Sequence, residues 1–109
     1  MSSIEQCRYD IRRYNRIKTS VNSIISRLAS ATRDMNDFSN EIKNKYLIND
    51  DCAPIILKSN KLETNLKDVQ HTLKNKVIPA IDNSIYKLKK TISQLEAEEQ
   101  AAEENEQGE

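Results

Sequence analysis

Glycine occurs once in this chain, at Gly108, and proline only twice, at Pro54 and Pro79. Tight turns draw on these residues, because glycine reaches positive φ and proline pre-sets φ for a bend. A sandwich, a barrel or an α/β fold needs many such turns. A chain of 109 residues with so few turn formers must be built from long unbroken elements. Charged residues make up 31% and hydrophobic ones 37%, which fits long helices better than a thick globular core. A chain this short buries a modest core, so a partner is expected on size grounds alone.

The apolar pattern gives the helices. From Ile4 onward one column of a heptad reads Cys7, Tyr14, Val21, Leu28, Met35, Ile42 and has no polar member. A second reads Ile4, Ile11, Lys18, Ile25, Thr32, Ser39, Tyr46, and a third adds Ile17, Ile24, Ala31 and Phe38. Three adjacent columns are wider than a two-helix seam requires, so the first helix should touch more than one neighbour. Lys18, Thr32 and Ser39 weaken one edge of the stripe and are expected at the rim. Ser2 or Ser3 can start this helix, with Glu5 or Gln6 three residues on as a capping box requires.

The one strong break is Asn49-Asp50-Asp51-Cys52-Ala53-Pro54. Asp51 is the expected N-cap of a second helix, with Pro54 in its first turn, where a missing N–H costs nothing. The second helix carries Ile55, Leu62, Leu66, Val69, Leu73, Val77, Ile81, Ile85, Leu88, Ile92 and Leu95. A run of four-residue spacings brackets Pro79. The stripe therefore drifts where an interior proline removes a backbone hydrogen bond and presses on the carbonyl of Asn75. A local bend is expected there, read as accommodation of the proline; a bend shaped for a partner is the alternative.

The prediction is an all-α, antiparallel two-helix hairpin of coiled-coil character. Helix 1 covers about 3–48, the turn 49–53 and helix 2 about 54–97, followed by an acidic disordered tail over 98–109. A short connection between two amphipathic helices of similar length favours antiparallel packing.

Net charge is zero but unevenly placed. Residues 1–95 hold all 17 basic residues against ten acidic ones, a balance of +7, and residues 96–109 hold seven glutamates and no base. Arg8, Arg12, Arg13, Arg16 and Lys18, interleaved with Tyr9 and Tyr14, form a basic cluster that raises nucleic-acid binding as a possibility. In an antiparallel hairpin the acidic end emerges beside that cluster and offsets it, subject to salt.

The residues for chemistry are missing. His71 has no Cys, Asp or Glu at zinc-ligand spacing. Asp50-Asp51 lacks the other ligands of a calcium loop and is better read as capping. No glycine-rich loop can cradle phosphate, and no His or Lys is placed to activate a hydroxyl. No enzyme activity, cofactor or metal site is predicted. Cys7 and Cys52 would sit at opposite ends of a helix roughly 60 Å long, far beyond the ~7 Å limit for a disulfide. No apolar run approaches the roughly 18 residues that span a bilayer, and the N-terminus has no signal-peptide core. Cytoplasmic synthesis is expected, with export beside a partner requiring some other signal.

The plan resembles the small WXG-type helical hairpins of bacterial type VII secretion: about 100 residues, two helices, one central turn, a polar tail. It is similar in particular to the accessory proteins encoded beside LXG toxins. The segment Asn75-Lys76-Val77-Ile78-Pro79-Ala80-Ile81-Asp82 is of the kind found in their second helix. The Trp-x-Gly turn is replaced by Asn49-Asp50-Asp51, and the one Tyr-x-x-x-Asp spacing, Tyr46 to Asp50, falls in the turn. No export signal is therefore carried over.

The resemblance implies a helical adaptor or targeting chaperone that binds the helical N-terminal domain of an LXG-type toxin, with or without a second small hairpin, and promotes its export. A self-assembling coiled-coil structural protein is the alternative; a basic helical nucleic-acid binder is a third reading, set behind these because the acidic end offsets the basic cluster, so no nucleic-acid partner is predicted. The expected contact residues are Val21, Ile24, Ile25, Leu28, Met35 and Phe38 on helix 1, and Leu66, Val69, Leu73, Val77 and Ile81 on helix 2. Some of these must close the hairpin itself.

Overall fold

The structure is a computed structural model and describes residues 2–45 and 52–107. The described residues are helical almost throughout and contain no strand. α1 is Ser3–Lys45, α2 is Ala53–Thr72, a π-helical turn follows over Leu73–Val77, and α3 is Ile78–Gln107. No helix among the described residues is long and apolar enough to cross a membrane. The Asn49-Asp50-Asp51 turn, the Asp51 cap and the Tyr46-to-Asp50 spacing lie outside the described residues. Cys52 is the N-cap residue of α2, the position at which Asp51 was expected, and Pro54 sits in the first turn.

α1 starts with a reciprocal cap. The Glu5 amide donates to Ser2 Oγ at 3.1 Å, and the Ser2 amide donates to Glu5 Oε2 at 3.3 Å. Of the two serines available, Ser2 is the one used. Two of the N–H groups that a helix start leaves unpaired are thereby satisfied.

The chain divides into two compact units. The terminal unit joins Met1–Ser20 to Ile78–Glu109, and the middle unit is Val21–Val77. In the terminal unit, Lys18 Nζ meets Asp82 Oδ1 at 2.6 Å and Arg8 Nη2 meets Glu96 Oε1 at 3.0 Å. A step toward the start of α1 is a step toward the end of α3, so the two segments are antiparallel. Ile4, Ile81 and Ile85 are buried between them, with Cys7, Ile11 and Tyr14 half-buried.

In the middle unit, seven residues separate Lys45 from Ala53. Extended chain covers at most ~3.5 Å per residue, too short to carry α2 back alongside α1 in the same direction. This pair is antiparallel too. Its seam uses the first two α1 columns, with Val21, Thr32 and Ser39 buried. On α2 it uses Ile56, Ser59, Glu63, Leu66 and Gln70, of which Ile56 and Ser59 are buried.

Two further expectations need correction and one takes a specific form. Thr32 and Ser39 are not at the rim: they are 8% and 2% exposed. Thr32 is tolerated inside because its hydroxyl donates to the Leu28 carbonyl at 2.8 Å, a bond a helical threonine can always reach. Ser39 has no such bond; its buried Oγ lacks a partner among the described residues. Second, the irregularity around Pro79 takes the form of a π turn just before it, at Leu73–Val77. Such a turn holds one residue more than an α turn, which absorbs the run of four-residue spacings. Third, α3 continues through the acidic stretch to Gln107, where disorder was expected. Glu, Ala and Gln have high helix propensity, so the helix persists there without burial.

Candidate helix-docking face

The middle unit closes on a seam that is partly polar and leaves much of its apolar surface outside. On α1, each residue of the Ile24, Ala31, Phe38 column directly precedes a seam residue, Ile25, Thr32 or Ser39. On α2, Ile55, Leu62 and Val69 stand in the same relation to Ile56, Glu63 and Gln70. In an antiparallel pair these two columns lie on the same side, because each flanks the seam from the corresponding position of its own helix. Ile24, Phe38, Ile55, Leu62 and Val69 are between 42% and 50% exposed, and Ala31 is half-buried. Together they form one apolar face on one side of the unit. Arg27, Asp34 and Glu41 border it along α1, and Lys58, Asn65 and Thr72 along α2, so its rim is polar and of mixed sign.

The contact residues expected from the sequence divide accordingly. Ile24, Phe38 and Val69 are exposed on this face. Val21 is buried, and Ile25, Leu28, Met35, Leu66, Leu73 and Val77 are half-buried along the middle seam. Ile81 is buried in the terminal unit. Ile55 and Leu62 belong to the exposed face but were not singled out. Their seven-residue spacing with Val69 was the available signal, masked because Leu66 and Leu73 merge with them into one broad stripe.

The terminal unit carries a surface groove of about 540 Å³ between α1 and α3. Tyr14, Ile17 and Leu88 give it an apolar lining, Ser84 a small one, and Asp10, Arg13 and Lys87 charge. Ile17 is 46% exposed. The Gln6 side-chain amide donates to Asp10 Oδ1 at 3.1 Å, and the Arg13 guanidinium lies 5.9 Å from the Tyr9 ring centre.

The polar groups elsewhere are arranged for helix stability. His71 Nδ1 lies 2.9 Å from the Asn75 side-chain nitrogen, one turn along the same helix. Glu41 and Lys45 pair at 2.8 Å; the hydrogen bond from Lys45 and its charge hold the Glu41 carboxyl below its ordinary range, and Glu41 in turn raises Lys45. No group of three or more His, Cys, Asp or Glu able to hold a metal occurs among the described residues. Of the basic cluster, Arg8 is paired with Glu96 and Lys18 with Asp82. Comparison with protein-family models, with characterised proteins and with solved structures finds no match.

Proposed function

We propose that this chain is a non-enzymatic adaptor that binds a helix of another protein on the apolar face of its middle unit. The observation that carries this reading is the row Ile24, Phe38, Ile55, Leu62 and Val69, each left about half exposed while serine and threonine occupy the seam beside it. Folding gains little from leucine and valine held in water, and monomeric proteins seldom expose large contiguous apolar patches without a binding role. An apolar valley between two helices is the site a third amphipathic helix fills, through anchors at three- and four-residue spacing.

The partner class that suits this face, given the resemblance to small hairpins of type VII secretion, is the long helical N-terminal domain of an LXG-type toxin. The adaptor would cover the toxin's apolar helices and accompany it to export. The test is to mix the purified chain with such a domain encoded beside it and measure the mass of the product in solution. A stoichiometric complex is expected, and Leu62→Asp or Val69→Asp should abolish it while leaving the helical signal intact. Failure of the wild-type chain to form any complex would defeat the proposal.

A further inference from the structure

We infer that the groove of the terminal unit receives an acidic amphipathic helix, an apolar side chain entering over Tyr14, Ile17 and Leu88 while carboxylates beside it meet Arg13 and Lys87. The inference rests on the helix-binding reading above and gives the partner a charge. The groove lies in the valley between two antiparallel helices, where a further helix packs rather than a compact small molecule. Its apolar floor is open, with Ile17 nearly half in water.

Charge decides which helix. The other two seam-edge cations of this unit already have partners across the pair, Lys18 with Asp82 and Arg8 with Glu96. Arg13 and Lys87, one on each wall of the groove, are exposed and take part in no ion pair among the described residues. Asp10 is the one acid in the groove, and it already accepts from the Gln6 amide. A partner carrying glutamates or aspartates beside its apolar anchor complements both walls; one carrying lysines would set like charge against like.

The test uses the full chain and two synthetic helical peptides with the same leucine face, one flanked by glutamates and the other by lysines. Binding is read by fluorescence anisotropy at low and at high salt. The glutamate peptide should bind at least about tenfold more tightly at low salt, and the gap should narrow at high salt as exposed charges are screened. The double variant Arg13→Glu/Lys87→Glu should reverse the order. Arg13→Gln/Lys87→Gln should erase it, and serves if charge reversal unfolds the chain.

Equal binding of the two peptides, an order unchanged in both double variants, or no binding of either peptide would overturn the inference. Equal binding that Leu62→Asp abolishes would leave the helix-binding reading standing and remove only the groove's part. Loss of the toxin-domain complex in the wild-type chain would instead strike the adaptor reading itself.

Discussion

Lys18 Nζ lies 2.6 Å from Asp82 Oδ1, and Lys18 is the one charged residue in the two α1 columns that line the seams. The position is half-buried, so the lysine lays its methylenes along the seam and carries its ammonium to the edge. Both side chains keep more than a third of their exposure, so the pair contributes at most about 1 kcal/mol.

Lys18→Leu should therefore stabilise the chain. The extra apolar burial is worth about 1 kcal/mol against an exposed pair typically worth about 0.5 kcal/mol, which raises the melting temperature by about 2 degrees. Asp82→Lys should lower stability by about 0.5 kcal/mol through like-charge contact. Thermal unfolding followed by circular dichroism checks both; a drop in melting temperature for Lys18→Leu would mean that the ion pair outweighs the burial.

Ser39→Ala should also stabilise. The buried Oγ has no partner among the described residues, and an unsatisfied hydroxyl costs about 1–3 kcal/mol. Thr32→Val should give a smaller gain, because the Thr32 hydroxyl is bonded to the Leu28 carbonyl. Urea unfolding of the two variants side by side gives the comparison, and a destabilised Ser39→Ala would show that the hydroxyl is bonded in solution.

The Glu41–Lys45 pair sets a pH dependence for the end of α1. Glu41 has its carboxyl held down, so its contribution is present above the ordinary carboxylate range and is lost as pH falls through the lowered value. Lys45 is raised, so its contribution is present below the ordinary ammonium range and is lost as pH rises through the raised value. Both groups are fully exposed, so the effect is local fraying rather than unfolding. Protection of the amides in the last turn of α1, measured relative to their intrinsic exchange rates, should fall at acid pH in the wild type, and Glu41→Gln should remove that dependence. An unchanged acid response in Glu41→Gln would assign it to other groups.

Deleting Pro79 tests the π turn. The deletion leaves Val77, Ile81, Ile85 and Leu88 at spacings of three, four and three, the ordinary heptad, and removes a residue that costs about 3 kcal/mol inside an α-helix. The π turn at Leu73–Val77 should convert to α-helix, visible as altered backbone chemical shifts there, with a higher melting temperature. A less stable deletion variant would show that the extra residue is required by the packing on either side of it.

The helices, the Ser2–Glu5 cap and the buried Val21, Ile81 and Ile85 were legible because a helix start and an apolar column are local patterns. The division of the broad α1 stripe was not. Ile24 and Ile25 are equally apolar neighbours, and only the rotation of each helix about its axis decides which faces the seam. That rotation leaves Ile24 out and brings Ser39 in, a choice no hydrophobicity pattern would make. The acidic end of α3 carries no apolar column to mark it as helix, and there only the propensity of Glu, Gln and Ala speaks for the helix that runs on to Gln107.

The clearest separation of seam from docking face comes from placing the same charge on each. Leu28 is half-buried in the middle seam, while Val69 is 50% exposed beside it. Leu28→Asp puts an unpaired carboxylate between the helices and should cost several kcal/mol, on the order of 3, through desolvation and lost packing. Val69→Asp leaves its carboxylate in water and should change stability by no more than about 0.5 kcal/mol. The two should divide in the opposite sense on function: Val69→Asp remains folded and loses the helical partner, while Leu28→Asp fails because the hairpin itself opens. Urea unfolding and complex formation measured on both variants give a two-by-two outcome. If Val69→Asp destabilises the chain as much as Leu28→Asp does, the Ile24–Phe38–Leu62–Val69 face is part of the hairpin core and not a surface left for another helix.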